Sequence, residues 1–208
     1  MSTYSGPWAL CGGWAIEAWL GEITRPHLDV DIMIVYDDQR AIFEHLRGWH
    51  LAAHDTDTLD GGEGWDGSEL SYPAHLHGRP PGRHNRELLR QWVNPPYTAP
   101  TDDQPNLEVV FDLLRDGELV LNTEPMISTP WDRAVETSRW GVPTLIPEPL
   151  LFWKATAYFD PDTRASRNQK DAEDFGSLVP KLEAESRAWL RYAIALLHPN
   201  HAWLDLLC

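Results

Sequence analysis

The chain has 208 residues, 42% of them hydrophobic, which suffices for one domain or for one compact domain with a helical extension. Its formal net charge of −15 argues against a nucleic-acid partner, which calls for a basic footprint, and suits a cationic ligand instead. No apolar run approaches the ~20 residues that span a bilayer. The start MSTYSGPWAL lacks the segments of a signal peptide, and Cys11 and Cys208 form no disulfide framework. A reduced, cytoplasmic protein without a membrane partner is therefore expected.

Residues 8–11 are a short apolar run ending at Gly12-Gly13 and read as a first strand. Residues 14–20 read as a helix with Ile16, Trp19 and Leu20 on one side. The loop TRPH, with Arg25 and His27, leads into LDVDIMIVY, whose residues 30–36 are apolar on both faces, as in a central strand covered by helices. Asp37 or Asp38 can cap the next helix, where Ile42, Phe43 and Leu46 recur at helical spacing before Gly48.

Asp29 and Asp31 head the second strand two residues apart, so both carboxylates project from one face. Two adjacent carboxylates repel each other, and a hard divalent cation such as Mg²⁺ resolves the conflict, with phosphates completing its coordination. The glycine pair allows a phosphate chain close to the backbone, with N–H groups at the following helix start as donors. The segment reads as a metal-and-nucleotide site.

Residues 54–106 are harder to read. HDTDTLDGGEGWDGSE is acidic and glycine-rich, GRPPGRHNRE is basic with two prolines, and both read as loops. Asp55, Asp57, Asp60, Glu63 and Asp66 suit a solvated surface; at the mouth of a cleft they would attract a cationic acceptor. From Leu107 a strand is expected, with Glu108, Val110 and Asp112 on one face, an Asp116-Gly117 turn and a returning strand over 118–121. The remainder reads as mainly helical, over 149–159, 170–182 and 183–197, with Phe175, Leu178 and Leu182, and then Leu190, Ile194 and Leu197, at core-facing spacing.

GG, a helix, then D-x-D on a strand resembles the DNA polymerase β-like nucleotidyltransferase superfamily. The fuller string GGWAIEAWLG…TRPHLDVDI looks like its lincosamide and aminoglycoside branch. The resemblance implies an α/β fold: a small mixed nucleotidyltransferase sheet with flanking helices over residues 1–125, and a C-terminal helical region over 126–208. It also implies an enzyme that moves a nucleoside monophosphate, AMP from ATP, to a hydroxyl of a small molecule, an aminoglycoside or lincosamide antibiotic, with two Mg²⁺ ions and loss of pyrophosphate. Asp29 and Asp31 match two metal-binding catalytic positions. Glu108 is the better match for the third carboxylate, both ligand and general base, and Asp112 on the same face is the alternative. Lys154 in LLFWKA and Lys170, Asp171 and Asp174 in QKDAEDF resemble C-terminal elements of that branch. Two readings stay open there: Lys154 or Lys170 contacts phosphate while Asp171 and Asp174 cap and brace their helix, or Lys154 pairs with one of these aspartates. Gly12, Gly13 and Arg25 are the other nucleotide contacts, Arg25 alternatively ordering its loop against Asp29, while His27 suits a structural role.

Nine histidines and two cysteines show no closely spaced ligand quartet, so zinc is not expected. Trp65, Trp92 and Trp131 are candidates for an acceptor pocket, with nothing to select among them. Other readings of the same fold are a toxin-like or regulatory transferase acting on RNA or protein, and a catalytically silent nucleotide-binding module. The missing basic surface opposes RNA, and the carboxylates at 29, 31 and 108 oppose the silent module. The sequence leaves the oligomeric state open.

Overall fold

The structure is a computed structural model that describes residues 1, 3–27, 29–55, 63–80, 106–156 and 164–208. The chain packs as two compact units, one of Met1–Leu10 with Arg25–Leu114 and the other of Cys11–Thr24 with Arg115–Cys208. These units do not follow a single cut after residue 125, because the first helix packs with the C-terminal residues.

The first unit is built on β1 (Trp8–Leu10), β2 (Asp29–Val35), β3 (His50–Asp55), β4 (Glu63–Gly64), β5 (Ala74–Arg79) and β6 (Asn106–Arg115). Among the described residues these strands run in the order β4-β3-β5-β6-β2-β1. β2 and β6 are parallel, with Asp29 opposite Asn106 and Asp31 opposite Glu108. β5 runs antiparallel to β6 and β3, and β1 antiparallel to β2, so the sheet is mixed as expected.

Alternation along these strands splits their side chains between two faces. Ile32 and Ile34 of β2, Leu76 of β5, and Val109 and Phe111 of β6 form a buried cluster with Leu51, Trp65, and Ile42 and Leu46 from the helix α2 (Gln39–His45) and the turn after it. Trp65 meets Phe43 edge-on with ring centroids 5.1 Å apart, and Phe111 at 6.4 Å. Its indole N–H donates to the Ser68 carbonyl (2.7 Å). Asp29, Asp31, His75, His77, Glu108 and Asp112 stand on the opposite face. β6 lies between β5 and β2, so Glu108 belongs to an interior strand and not to an edge.

The second unit contains the helix α1 (Gly12–Leu20), the antiparallel pair β7 (Glu118–Thr123) and β8 (Met126–Pro130), the short helix α3 (Trp131–Ala134), and the antiparallel pair β9 (Val135–Thr137) and β10 (Pro143–Leu145). Then come the helices α4 (Pro147–Thr156), α5 (Arg164–Leu178) and α6 (Ala184–Leu197). A two-residue turn at Asp116-Gly117, with φ of 51 and 81, joins β6 to β7; asparagine, aspartate and glycine tolerate this left-handed backbone best. Residues 126–145, expected within the helical region, instead carry three strands, each too short to show a pattern of its own. α4 packs against α6, α1 and α5, with Phe152 edge-on to Trp189 and Phe175 stacked on Trp203 at 4.1 Å. The Trp19 indole ties α1 to the Leu145 carbonyl (2.6 Å).

Candidate functional site

Parallel pairing brings the starts of β2 and β6 to the same end of the sheet, and each strand begins with acid. β2 is only half-buried over Asp29, Val30 and Asp31 and buried from Ile32 onward. The carboxylates therefore occupy the one stretch of the strand where a charge keeps some water. One oxygen each from Asp29, Asp31 and Glu108 lies within 4.8 Å of the other two. Three acids this close repel strongly when ionised, and an all-oxygen donor set of this kind fits a hard divalent cation.

Because β5 is antiparallel to β6, its C-terminal half arrives at the same end, with His77 opposite Glu108. His77 Nε2 is 3.8 Å from Glu108 Oε2. Burial pulls the His77 imidazole down to about 4, although the Asp29 carboxylate favours its charged form, and Arg79 lowers it further. At neutral pH the contact is therefore a neutral imidazole beside a carboxylate and not an ion pair. Ahead of β2, the Arg25 guanidinium donates to Nδ1 of His27 (3.0 Å), so both side chains help to order the loop before Asp29.

Asp112 shares the face of Glu108 but lies opposite Val35, four residues further along β6. It is buried, its Oδ2 has no hydrogen-bond partner among the described residues, and burial pushes its carboxyl up to about 7. Its oxygens are not part of the acidic cluster that Glu108 completes.

The candidates of the second unit separate into different roles. Gly12 and Gly13 open α1, and Gly12 has φ of 61, a conformation that glycine adopts at little cost. The Lys154 ammonium lies 2.8 Å from Asp171 Oδ1 and 2.8 Å from Asp174 Oδ2. Burial lowers the Lys154 pKa, but Asp174 and Asp171 more than offset it and hold the amine charged. This is the ion-pair reading, with both aspartates engaged. They lie inside α5 and brace it against α4, and neither caps a helix end. Lys170 is exposed.

Of the three tryptophans, Trp65 belongs to the core, Trp131 is half-buried at the start of α3, and Trp92 lies outside the described residues. Asp57 and Asp60 also lie outside them, Asp55 and Glu63 belong to β3 and β4, and Asp66 is exposed.

Two features escape the sequence reading. His75 and His77 bring imidazoles to the carboxylate face, and the signal was the alternation in AHLH, where every second residue faces the same way. Glu17 is fully buried in α1 and accepts from the Thr24 backbone N–H (2.7 Å) and hydroxyl (2.9 Å). It thereby anchors the loop that follows α1; its signal was a lone acid among the apolar residues of GGWAIEAWL.

Residues 1–59 match the family model described as aminoglycoside-2''-adenylyltransferase. That segment holds the glycine pair, Arg25, His27, Asp29 and Asp31, and the match bears out the resemblance to antibiotic-modifying nucleotidyltransferases. No curated protein matches the chain. Among solved structures the chain is similar to the lincosamide antibiotic adenylyltransferase LnuA with lincomycin bound, at 14% identity and a TM-score of 0.48, covering 83% of this chain and 87% of that one. It is also similar to the antibiotic-resistance factor ANT(2'')-Ia in solution, at 16% identity and a TM-score of 0.49, covering 96% of this chain and 86% of that one. The crystal structure of ANT(2'')-Ia with adenylyl-2''-tobramycin matches at 14% identity and a TM-score of 0.45, covering 90% of this chain and 86% of that one.

Proposed function

We propose that this chain, whose first 59 residues carry the aminoglycoside-2''-adenylyltransferase pattern, is an Mg²⁺-dependent nucleotidyltransferase that moves AMP from ATP to a hydroxyl of a small cationic antibiotic. An aminoglycoside is the favoured acceptor. The observation that carries the reading is the convergence of Asp29, Asp31 and Glu108, oxygens within 4.8 Å, at the aligned starts of two parallel strands. The net charge of −15 supports a cationic acceptor over a polyanion such as RNA.

Asp29, Asp31 and Glu108 would hold the divalent ions, two in number by the family resemblance. When bound, the ions neutralise charge on the α-phosphate and on the departing pyrophosphate. Glu108 accepts the proton of the acceptor hydroxyl, because a carboxylate on an interior strand keeps a fixed orientation toward an incoming group. Backbone N–H groups at the start of α1, beside Gly12 and Gly13, suit phosphate oxygens, as do the guanidinium of Arg25 and the exposed ammonium of Lys170. Lys154, already engaged by two carboxylates, serves the packing of α4 on α5.

Incubation with α-labelled ATP, Mg²⁺ and a panel of aminoglycosides and lincosamides tests the reading. Label should pass to an aminoglycoside, the transfer should stop in EDTA, and Asp31→Asn should abolish it without unfolding the chain. Glu108→Gln should cost on the order of 3 kcal/mol of transition-state stabilisation, and Asp112→Asn far less. Label on RNA or protein alone, or equal transfer with and without metal, would overturn the assignment.

A further inference from the structure

We infer that His75, His77 and Glu108 form a second metal site, one that takes a borderline divalent ion such as Zn²⁺ through two imidazoles and one carboxylate. A donor atom from each of the three lies within 4.8 Å of the other two. The backbone dictates the grouping. Ala74, Leu76 and Gly78 of β5 are buried, and the alternate residues His75 and His77 are half-buried on the carboxylate face. The register then sets His77 opposite Glu108 and His75 opposite Val110, so Glu108 and the two imidazoles form one patch across two paired strands.

The side chains already converge. His77 Nε2 is 3.8 Å from Glu108 Oε2, and the two imidazole rings are 5.4 Å apart and inclined at 50°, not stacked flat. Bonds of ~2.0–2.1 Å in tetrahedral geometry set ligand atoms about 3.3 Å apart. His77 Nε2 and Glu108 Oε2 already approach to 3.8 Å, and the three donor atoms all lie within 4.8 Å of one another. Three protein ligands leave a fourth position open to water or to a ligand, the pattern of reactive zinc sites.

Ligand chemistry separates this site from the acidic one. Asp29, Asp31 and Glu108 offer oxygen alone, which suits Mg²⁺, whereas a pair of imidazoles suits zinc and its transition-metal neighbours. Glu108 is common to both donor sets. Its loss should weaken both sites, while loss of Asp31 should affect only the acidic one. The histidine site goes beyond the proposed transfer activity and does not depend on it.

The test is Zn²⁺ binding to the full chain by competition with a chromophoric chelator, with zinc X-ray absorption on the same samples. Wild type should bind zinc with imidazole scattering in its absorption spectrum. His75→Gln and His77→Gln should each weaken binding on the order of 100-fold, and Glu108→Gln should also weaken it. Asp31→Asn should keep the imidazole-coordinated zinc, and the double change His198→Gln with His201→Gln should leave zinc binding unchanged. Circular dichroism checks the fold of each variant; should one histidine variant fail to fold, the other and the wild-type absorption spectrum decide. An all-oxygen coordination shell, full binding in a folded His77→Gln variant, or loss of binding in Asp31→Asn would overturn the site. Failure of nucleotidyl transfer with zinc binding intact would count against the proposed function alone.

Discussion

Replacing Asp112 with asparagine isolates the titration of one buried acid from everything else on β6. Asp112 is 6% exposed, and burial alone raises its carboxyl from 3.8 to about 7. Below the unfolded value the group is protonated in both states, and folding forces no ionised oxygen out of water. As pH rises from 3.8 toward about 7, the unfolded chain ionises and the folded chain does not, so stability falls, and the loss is complete above the folded value. At about 1.4 kcal/mol per pKa unit, the whole shift corresponds to roughly 4 kcal/mol. Asparagine does not titrate, and any fixed cost of burying its amide displaces the difference between the two proteins without tilting it. Urea unfolding of both at about pH 5 and about pH 8 should show the variant gaining roughly 3 kcal/mol on wild type across that interval. A difference that stays flat would refute the reasoning, because Asp112 would then be ionised in the fold.

Lys154→Met should cost roughly 3–5 kcal/mol in the same assay, since it leaves Asp174, 3% exposed, beside Asp171 with no cation between them. Lys170→Ala, at an exposed position, should stay within about 0.5 kcal/mol, and equal costs for the two lysines would remove the bracing role. Glu17→Ala strands the N–H and hydroxyl of Thr24 and should destabilise by roughly 1–3 kcal/mol; an unchanged urea midpoint would show that water replaces the carboxylate without loss. The net charge of −15 should make the apparent KM for an aminoglycoside rise with ionic strength, while a lincosamide, with a single amine, responds weakly; parallel salt curves for the two would rule out long-range attraction.

The parts of the fold that were legible in the sequence are those whose signal is local. The glycine pair punctuates β1 and α1, the β-branched run in DVDIMIV marks β2, and the spacing of Leu190, Ile194 and Leu197 marks α6. β5 was not legible, although it lies between β3 and β6. Its segment AHLHGR contains one large apolar residue, Leu76, flanked by Tyr-Pro and Arg-Pro-Pro, which read as loop. What makes it a strand is its neighbours, with Leu51 opposite Gly78 on one side and Glu108 opposite His77 on the other, and neither partner is near in sequence. β9 and β10 are three residues each, too short for alternation to register. The polar first turns of α5 likewise hid about two-fifths of that helix.

The same division between local and distant information governs the candidate site. Asp29 and Asp31 were legible because a spacing of two within one strand places both carboxylates on one face whatever the strand pairs with. Glu108 and Asp112 also share a face, so periodicity within β6 treats them as equals. They lie ~13 Å apart along the strand, at about 3.3 Å per residue, and only the register against β2 tells them apart. That register sets Glu108 opposite Asp31 at the half-buried opening of the sheet and Asp112 opposite Val35 in its interior. One acid thereby gains carboxylate neighbours, and the other is buried with its carboxyl pushed up to about 7. The register of β5 then adds two imidazoles to the end that holds Glu108. A hard-cation donor set and a softer one thus come to share a single carboxylate through strand pairing alone.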